Sequence, residues 1–313
     1  MRKGGRMTKK EVLVLGGTGM LGSMVCEVLS REDDLSVRAS VRRAERAEEV
    51  SSRLPNVDCC VLDALRADES GLRETLGDAH WVVNAIGLTK PHIHDDNAGE
   101  VERAIRVNSL FPHLLARAAQ GSGAHVIQIA TDCVFSGSTG RYTEDAKHDA
   151  LDAYGKTKSL GEVASDHMHH LRTSIIGPEP KEHKFLLHWL LDQPRGAQLN
   201  GFVNHRWNGV TTLQFARLCL GIIRSDLPLP HLHHAVPSGS VSKHELLQCF
   251  ARAYGRTDLR ITPVEAPHVV DRTLATANDE LNRRLWEAAG YEQAPSVPEM
   301  VEELARFPYR FGG

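Results

Sequence analysis

The chain is poor in aromatic residues, with 5% Phe, Trp and Tyr, and it has no surplus of positive charge: 37 Lys and Arg stand against 40 Asp and Glu, a net charge of −3. That balance excludes the broad basic surface on which nucleic-acid binding depends, so no nucleic-acid partner is expected. No apolar run reaches membrane-spanning length, and no membrane partner is expected either. Cysteine is sparse and scattered. Cys26, Cys59, Cys60, Cys133, Cys219 and Cys249 form no CxxC spacing, which argues against a disulfide framework and for reduced thiols in a cytoplasmic protein. The opening MRKGGRMTKK is basic but runs into a strand with no apolar segment between. It reads as a disordered leader over residues 1–8, with Met7 an alternative start, and not as a secretion signal. Histidine is concentrated in HIHDD at 92–96, HMHH at 167–170 and HLHH at 231–234. A zinc site needs three or four converging ligands. These runs are expected to diverge, so no metal is expected. His92 and His94, just past a strand, read as loop residues near the ligand side.

What is present is alternation of strand and helix. Strands are expected at Glu11–Leu15, Leu35–Val41, Val57–Leu62, His80–Ala85, His125–Thr131 and Leu171–Ile176. Helices are expected at Met20–Ser30, around Glu45–Arg53, at Glu100–Gln120 and at Ala153–Ser165. This rhythm points to the α/β class, a Rossmann-type doubly wound parallel sheet covered on both faces. After Pro178-Glu179-Pro180 the pattern changes to helices at Lys184–Asp192, Thr211–Arg224, Ser242–Tyr254 and Pro298–Phe307. Short strands fall near Gln198–Val203, His231–Ala235 and Leu259–Val264. Ser242 with Glu245 and Ser296 with Glu299 have capping-box spacing. The expected organisation is a cofactor domain over 9–178 and a smaller α/β C-terminal lobe over 179–313, with segments able to thread between them.

The glycine run LGGTGMLG at 15–22 follows one strand and opens one helix, the context a dinucleotide turn requires. Gly16, Gly19 and Gly22 let backbone amides approach a pyrophosphate. Thr18, Met20 and Leu21 complete the turn and the first residues of a helix whose amino end favours negative charge. The second expected strand ends in Ser40-Val41-Arg42-Arg43 with no acidic residue. A carboxylate there would bind ribose hydroxyls and repel a ribose phosphate, whereas arginine can chelate that phosphate. Arg42 and Arg43 therefore favour NADP(H), although they could instead open a helix salt-bridged to Glu45, Glu48 and Glu49. Asp63 reads as a contact for the adenine amino group or as a turn residue. Ala85, Ile86 and Gly87 are small or slim enough to lie along the adenosine half.

Tyr154 and Lys158 stand four residues apart on an expected helix and so share a face. Thr131 ends the fifth expected strand. A phenol titrates near 10, and a neighbouring ammonium and an oxidised nicotinamide are both expected to lower that value, letting Tyr154 exchange a proton with a carbonyl oxygen as hydride moves. Lys158 would also hold the nicotinamide ribose, and Thr131 the substrate oxygen.

Taken in order, LGGTGMLG, NAIG at 84–87, VNSLFPHLLA at 107–116, ATDCVFSG at 130–137, YTED at 142–145, YGKTKSLGE at 154–162 and LRTSIIG at 171–177 resemble the extended short-chain dehydrogenase/reductase family. The match is to its dTDP-4-dehydrorhamnose reductase-like branch. The resemblance covers most of the chain. It implies a Rossmann fold, NADP(H), a nucleotide-sugar substrate, reduction of a sugar keto group, and Thr131, Tyr154 and Lys158 as catalytic residues. Two departures fall on the substrate side. Cys133 replaces the family's usual aromatic residue, and Asn204 to Thr211 replaces its DQxGxPT-like segment. GDP-fucose synthases, which are similar, epimerise before they reduce, using a Cys two residues after the catalytic Ser or Thr and a later His. Cys133 and His183 fit that pattern, so a 3,5-epimerase/4-reductase is an alternative. The family's dehydratases carry Asp-Glu where this chain has Asp132-Cys133. The regulatory subunit of methionine adenosyltransferase also resembles these reductases, which leaves a non-catalytic NADP-binding subunit as a rival. Arg206 and Trp207 are candidates to pair with and stack on a nucleotide, Arg172 ends a strand near the expected site, and a homodimer is compatible with the reading.

Overall fold

The computed structural model describes residues 9–311; the expected leader at 1–8 lies outside them. The alternation becomes β1 (Lys10–Leu15), α1 (Met20–Leu29), β2 (Leu35–Val41), α2 (Ala47–Arg53), β3 (Val57–Val61), α3 (Glu69–Leu76) and β4 (Trp81–Asn84). It continues through α4 (Ala98–Ala104), α5 (Phe111–Ser122), β5 (His125–Ala130), α6 (Ala153–Leu160) and β6 (Met168–Arg172). The remainder comprises β7 (Ile175–Ile176), α7 (Leu186–Leu191), β8 (Gln198–Phe202), β9 (His205–Trp207), β10 (Val210–Thr211), α8 (Thr212–Ser225) and β11 (Leu232–His234). Last come β12 (Val241–Ser242), α9 (Lys243–Ala253), β13 (Arg260–Val264), β14 (Val270–Asp271), α10 (Asp279–Ala288) and α11 (Val297–Arg306).

The central sheet has seven parallel strands in the order β11-β6-β5-β4-β1-β2-β3. It is a doubly wound Rossmann-type sheet. Winding runs outward from β1 to β3, then crosses back to β4 and proceeds the other way, so the strand order reverses between β1 and β4. In such sheets ligands bind at the carboxyl ends of the strands beside that reversal. β1 shows why both faces are covered. Its side chains alternate: Val12 and Val14 join one apolar cluster with Met24 of α1 and Phe215 of α8, and Leu13 and Leu15 join another with Leu72 of α3 and Phe111 of α5.

Several elements depart from the sequence expectation, and α3, β9, β10, β12 and β14 are not foreseen. β6 begins at Met168, not Leu171, so Met168, His169 and His170 of the HMHH run are strand, and Ile175–Ile176 form a separate short strand paired with β10. Polar imidazoles hid a strand whose five residues are all buried between β5 and β11. As a result the HMHH and HLHH runs, expected to diverge, lie on neighbouring strands. α10 is not foreseen. Its first turn is capped by the Asn278 side chain, and it buries Leu281, Leu285 and Trp286 along one stripe of an otherwise charged helix. Both capping boxes form as spaced, on α9 and α11. Beyond β6, strands β12, β9 and β14 form a small sheet. The segment after β14 runs back along residues 137–142, with the Asp271 amide donating to the Gly137 carbonyl at 2.8 Å and that of Tyr142 to the Thr273 carbonyl at 3.0 Å.

Candidate active site

The glycine turn sits at the strand reversal and hangs from the end of β2. The Gly16 amide donates to the Ser40 hydroxyl at 3.0 Å and the Gly17 amide to the Ser40 carbonyl at 2.9 Å. Gly19 stands at the N-cap of α1 and offers no side-chain acceptor to the first amides of that helix. Those amides are left for an anion, as a bound pyrophosphate requires. A Cβ on Gly22 would lie 2.1 Å from the Gly16 carbonyl oxygen, so the turn closes on the helix only because that position is bare. Gly22→Ala is therefore expected to lower NADP(H) affinity by at least about 100-fold, or to leave the protein unfolded; fluorescence titration and thermal melting separate the two.

Residues 85–87 lie against this turn. The Ala85 amide donates to the Leu15 carbonyl at 3.0 Å and that of Ile86 to Asn84 Oδ1 at 3.1 Å. Arg42 and Arg43 are exposed just past β2 and, among the described residues, enter no ion pair. Glu49, a partner they might have taken, is held instead by Arg46 at 2.7 Å and Lys181 at 3.0 Å. Asp63 accepts from the Leu65 amide at 3.1 Å, so one of its oxygens serves its own turn.

The three expected catalytic residues meet beside this crevice. Thr131 follows β5, and its hydroxyl accepts from the Cys133 amide at 3.2 Å and lies 3.3 Å from Asp132 Oδ1. α6 starts under the Asp152 cap, whose carboxylate accepts the Gly155 amide at 2.8 Å. A Cβ on Gly155 would come within 2.5 Å of the Cys133 carbonyl oxygen. That close approach presses Tyr154 onto the Thr131–Val134 turn. One helical turn later Lys158 Nζ donates to the Ile129 carbonyl at 3.0 Å.

The expected lowering of the Tyr154 phenol is not what the structure has. Burial pushes its pKa up, the neighbouring Cys133 and Asp132 add to the rise, and the Thr131 hydroxyl only partly opposes them. Burial also draws the Lys158 ammonium down to about 8. Desolvation is the largest cause for both groups, and it keeps the proton on Tyr154, as an acid must. Cys133 is likewise pushed up to about 12 by burial and by Asp132.

Three residues that bear on this part of the structure are not singled out by the sequence. Between α4 and α5 the helix widens into a π-helical turn, Ile105–Leu110, a distortion frequent at functional sites. Its Asn108 accepts from the Leu88 amide at 2.8 Å and donates to the Leu88 carbonyl at 2.9 Å and to Thr157 Oγ1 at 3.3 Å. It thereby ties the loop after β4 to the helix turn that carries Lys158. Asn108 falls within the VNSLFPHLLA run, but nothing in that run marks it as the tie between the two segments. Lys243, at the start of α9, and Arg272, just after β14, both bear on the charge of Asp132. Nothing in their local sequence distinguishes them from surface cations.

The remaining substrate candidates fall elsewhere. Arg172 is buried and fully engaged. It donates to both carboxylate oxygens of Glu162, to His234 Nε2 at 2.7 Å and to His148 Nε2 at 2.8 Å, which makes it a structural hub with four of its five N–H groups committed inside the protein. Trp207 is 5% exposed within the apolar core, so its ring face is not open to a base. Arg206 donates to Ser240 Oγ at 2.7 Å and is half-exposed beside Glu245. His183 is held by Asp192 at 3.0 Å and stacked on His188 at 4.1 Å. The groups that bear on the Cys133 thiol are Asp132, Arg272 and Thr131, and His183 is not among them. His92 faces Glu182 at 3.5 Å and His94 bonds Glu100 at 2.7 Å. Among the described residues, no group of three or more His, Cys, Asp or Glu is placed to hold a metal, and no helix is long and apolar enough to cross a membrane.

The model of the family described as RmlD substrate binding domain matches residues 10–307. The chain belongs to this family. Among its relatives is the dTDP-4-dehydrorhamnose reductase of Streptomyces griseus, 26% identical over 299 residues, 90% of this chain and 88% of that one. Another is methionine adenosyltransferase 2 subunit beta of Xenopus tropicalis, 24% identical over 265 residues, 82% of this chain and 75% of that one. The Bacillus anthracis dTDP-4-dehydrorhamnose reductase, solved in complex with NADP, has the same fold, with a TM-score of 0.72 and 19% identity over 95% of this chain and 99% of that one.

Proposed function

We propose that the protein is an NADPH-dependent reductase of the 4-keto group of a nucleotide-linked deoxysugar. The observation that carries this is the meeting of Thr131, Tyr154 and Lys158 beside an uncapped glycine turn at the strand reversal. The bare Gly22 cradle and the free amides of α1 fit a pyrophosphate, and the exposed Arg42 and Arg43 fit the 2′-phosphate of NADP(H). A bound nicotinamide supplies the hydride. Thr131 holds the carbonyl oxygen through its hydroxyl. Tyr154, kept protonated by its surroundings, gives its proton to that oxygen as negative charge develops there. Lys158, fixed by the Ile129 carbonyl and by the helix that Asn108 ties down, stabilises the phenolate left behind. Rates of NADPH consumption across dTDP-, UDP- and GDP-linked 4-keto-6-deoxysugars test the reading. One nucleotide series is expected to support turnover, and silence across all three would count against it.

The chemistry needs a charged Lys158, and its pKa of about 8 sets a limit. The ammonium is present below that value and lost above it. kcat/KM for reduction is therefore expected to fall about tenfold per pH unit above roughly pH 8, and a pH–rate profile checks this. A profile flat to pH 10 would remove the ammonium from the mechanism.

The epimerase–reductase alternative is less well supported, because Asp192 and His188 hold His183. The regulatory-subunit reading draws on the methionine adenosyltransferase relatives. The complete Thr131, Tyr154 and Lys158 set favours the enzyme.

A further inference from the structure

We propose that Lys181, carried by the segment between β7 and α7, closes over the adenosine end of the cofactor crevice and selects the 2′-phosphate of NADP(H) against the 2′-hydroxyl of NAD(H). The inference deepens the NADP(H) reading and rests on it for what the ligand is. It rests on this chain's own contacts for where the ligand is held.

The segment crosses the crevice. β2 and β4 flank β1, and the glycine turn follows β1. α2 leaves from β2 on one side of that turn, and the loop after β4 rises on the other. Two consecutive residues reach both walls. Lys181 Nζ stands 3.0 Å from Glu49 in the first turn of α2, and the Glu182 carboxylate 3.5 Å from His92 in the loop after β4. Residues 181 and 182 therefore lie across the mouth of the crevice, over the glycine turn. The wall beyond β4 is itself tied to the start of α6, through Lys90 to Asp152 at 2.7 Å and through the Ala153 amide, which donates to Asp95 Oδ1 at 3.0 Å. The base of the segment is fixed. Glu179 is buried, and its carboxylate accepts the Lys184 amide at 3.0 Å and the Phe185 amide at 2.7 Å. Above that base Glu182 and His183 hold φ of 72° and 50°, in the left-handed region that non-glycine residues avoid. Such a conformation persists only where the surroundings impose it, so the segment has a set shape and Lys181 a set reach.

The charges at the α2 end suit a phosphate. Arg46, Lys181 and Arg53 converge on Glu49, at 2.7, 3.0 and 3.5 Å. One carboxylate thus faces three cations. Arg42 and Arg43 stand exposed just before them, and Glu45 and Glu48 are the other acids of the stretch, so the cations are in excess. An ammonium carries three donors, and among the described residues Glu49 is the one acid paired with Lys181. A phosphate arriving beside Glu49 takes the donors that remain, while Glu49 keeps Arg46 and Arg53. A ribose hydroxyl brings no charge, so with NAD(H) the Lys181–Glu49 pair stays as it is. That difference is the selectivity. Arg42 and Arg43 serve the phosphate from the cofactor domain, and Lys181 serves it from the segment that leads into the C-terminal lobe. Glu182, the acid next to Lys181, is turned to the opposite wall, where it meets His92.

The test is fluorescence titration of NADPH and NADH into wild type, Lys181→Gln, Lys181→Arg and Glu182→Gln, with thermal midpoints reporting that each variant is intact. Lys181→Gln is expected to weaken NADPH about 10-fold, the low end for a lost charge-assisted hydrogen bond, and to leave NADH within about twofold. Lys181→Arg keeps the charge and is expected to keep the wild-type preference. Glu182→Gln is expected to leave that preference unchanged, because its carboxylate faces the other wall. Equal weakening of both cofactors by Lys181→Gln would make the residue a fastener of the segment and overturn the proposal, as would an unchanged NADPH affinity in the intact variant. A wild type that binds NADPH no more tightly than NADH overturns the NADP(H) reading together with the inference. A wild-type preference that survives Lys181→Gln overturns the inference alone. Turnover is not read, so the result is independent of which keto-sugar is reduced.

Discussion

Tyr154→Phe is expected to lower kcat by about 10²- to 10⁴-fold, the usual worth of a positioned acid, and to leave NADPH affinity within about twofold. The substitution removes one oxygen and keeps the ring that packs against the Thr131–Val134 turn. Folding should therefore be unaffected, and the loss should appear in kcat. The environment strengthens the expectation. Burial and the neighbouring Cys133 and Asp132 hold the phenol above its ordinary value, so the group is a proton donor throughout the neutral range. Single-turnover rates with saturating NADPH and the keto-sugar check this. A variant retaining more than a tenth of wild-type kcat would mean that the proton comes from elsewhere.

Acid is expected to unfold this protein well before its carboxylates titrate. Seven histidines are held below their ordinary pKa mainly by burial: His125, His148, His169, His170, His188, His233 and His234. His170 is drawn down to about 3 and His234 to about 4. His170 Nδ1 has no partner among the described residues, and His234 shares its Nε2 with the Arg172 guanidinium, so a proton on either ring is strongly opposed. A folded-state pKa below the unfolded value means that the neutral form is the folded one. The resulting stability is present above the unfolded value near 6.5 and is lost as pH falls from there toward the folded values. At pH 5, His170 and His234 each account for about 2 kcal/mol of loss. The two together should lower the melting temperature by roughly 6 °C relative to pH 7.5. Thermal unfolding across that range checks it, with His170→Asn expected to flatten the curve. A midpoint independent of pH between 7.5 and 5 would show that these rings charge freely in the fold.

The parts of the fold that a sequence reading reached were those whose cause is local. β1 and the glycine turn are legible because a buried parallel strand is a short apolar run, and because only glycine fits where Gly22 meets the Gly16 carbonyl. Tyr154 and Lys158 are legible because a spacing of four places them on one helix face, and Thr131 because it closes the apolar run of β5. β6 was displaced because its burial comes from two neighbouring strands and not from apolar side chains. Trp207 and Arg172 looked like ligand groups for the same reason: a large or charged side chain does not reveal from sequence that the core or a Glu162–His148–His234 network already claims it. Arg272 went unseen because only a long-range bond, from its Nε to the Phe135 carbonyl, brings it to the turn. The expected lowering of the Tyr154 phenol failed on desolvation, which no spacing encodes.

The most direct measurement is transfer of label from deuterated NADPH. The protein is incubated with 4-deuterated NADPH and each of the dTDP-, UDP- and GDP-linked 4-keto-6-deoxysugars, and the products are read by mass spectrometry. The account predicts a single deuterium on the carbinol carbon of one nucleotide series, absent with Tyr154→Phe. NADPH bound tightly with no labelled sugar in any series would contradict it and leave a cofactor-binding subunit that performs no reduction.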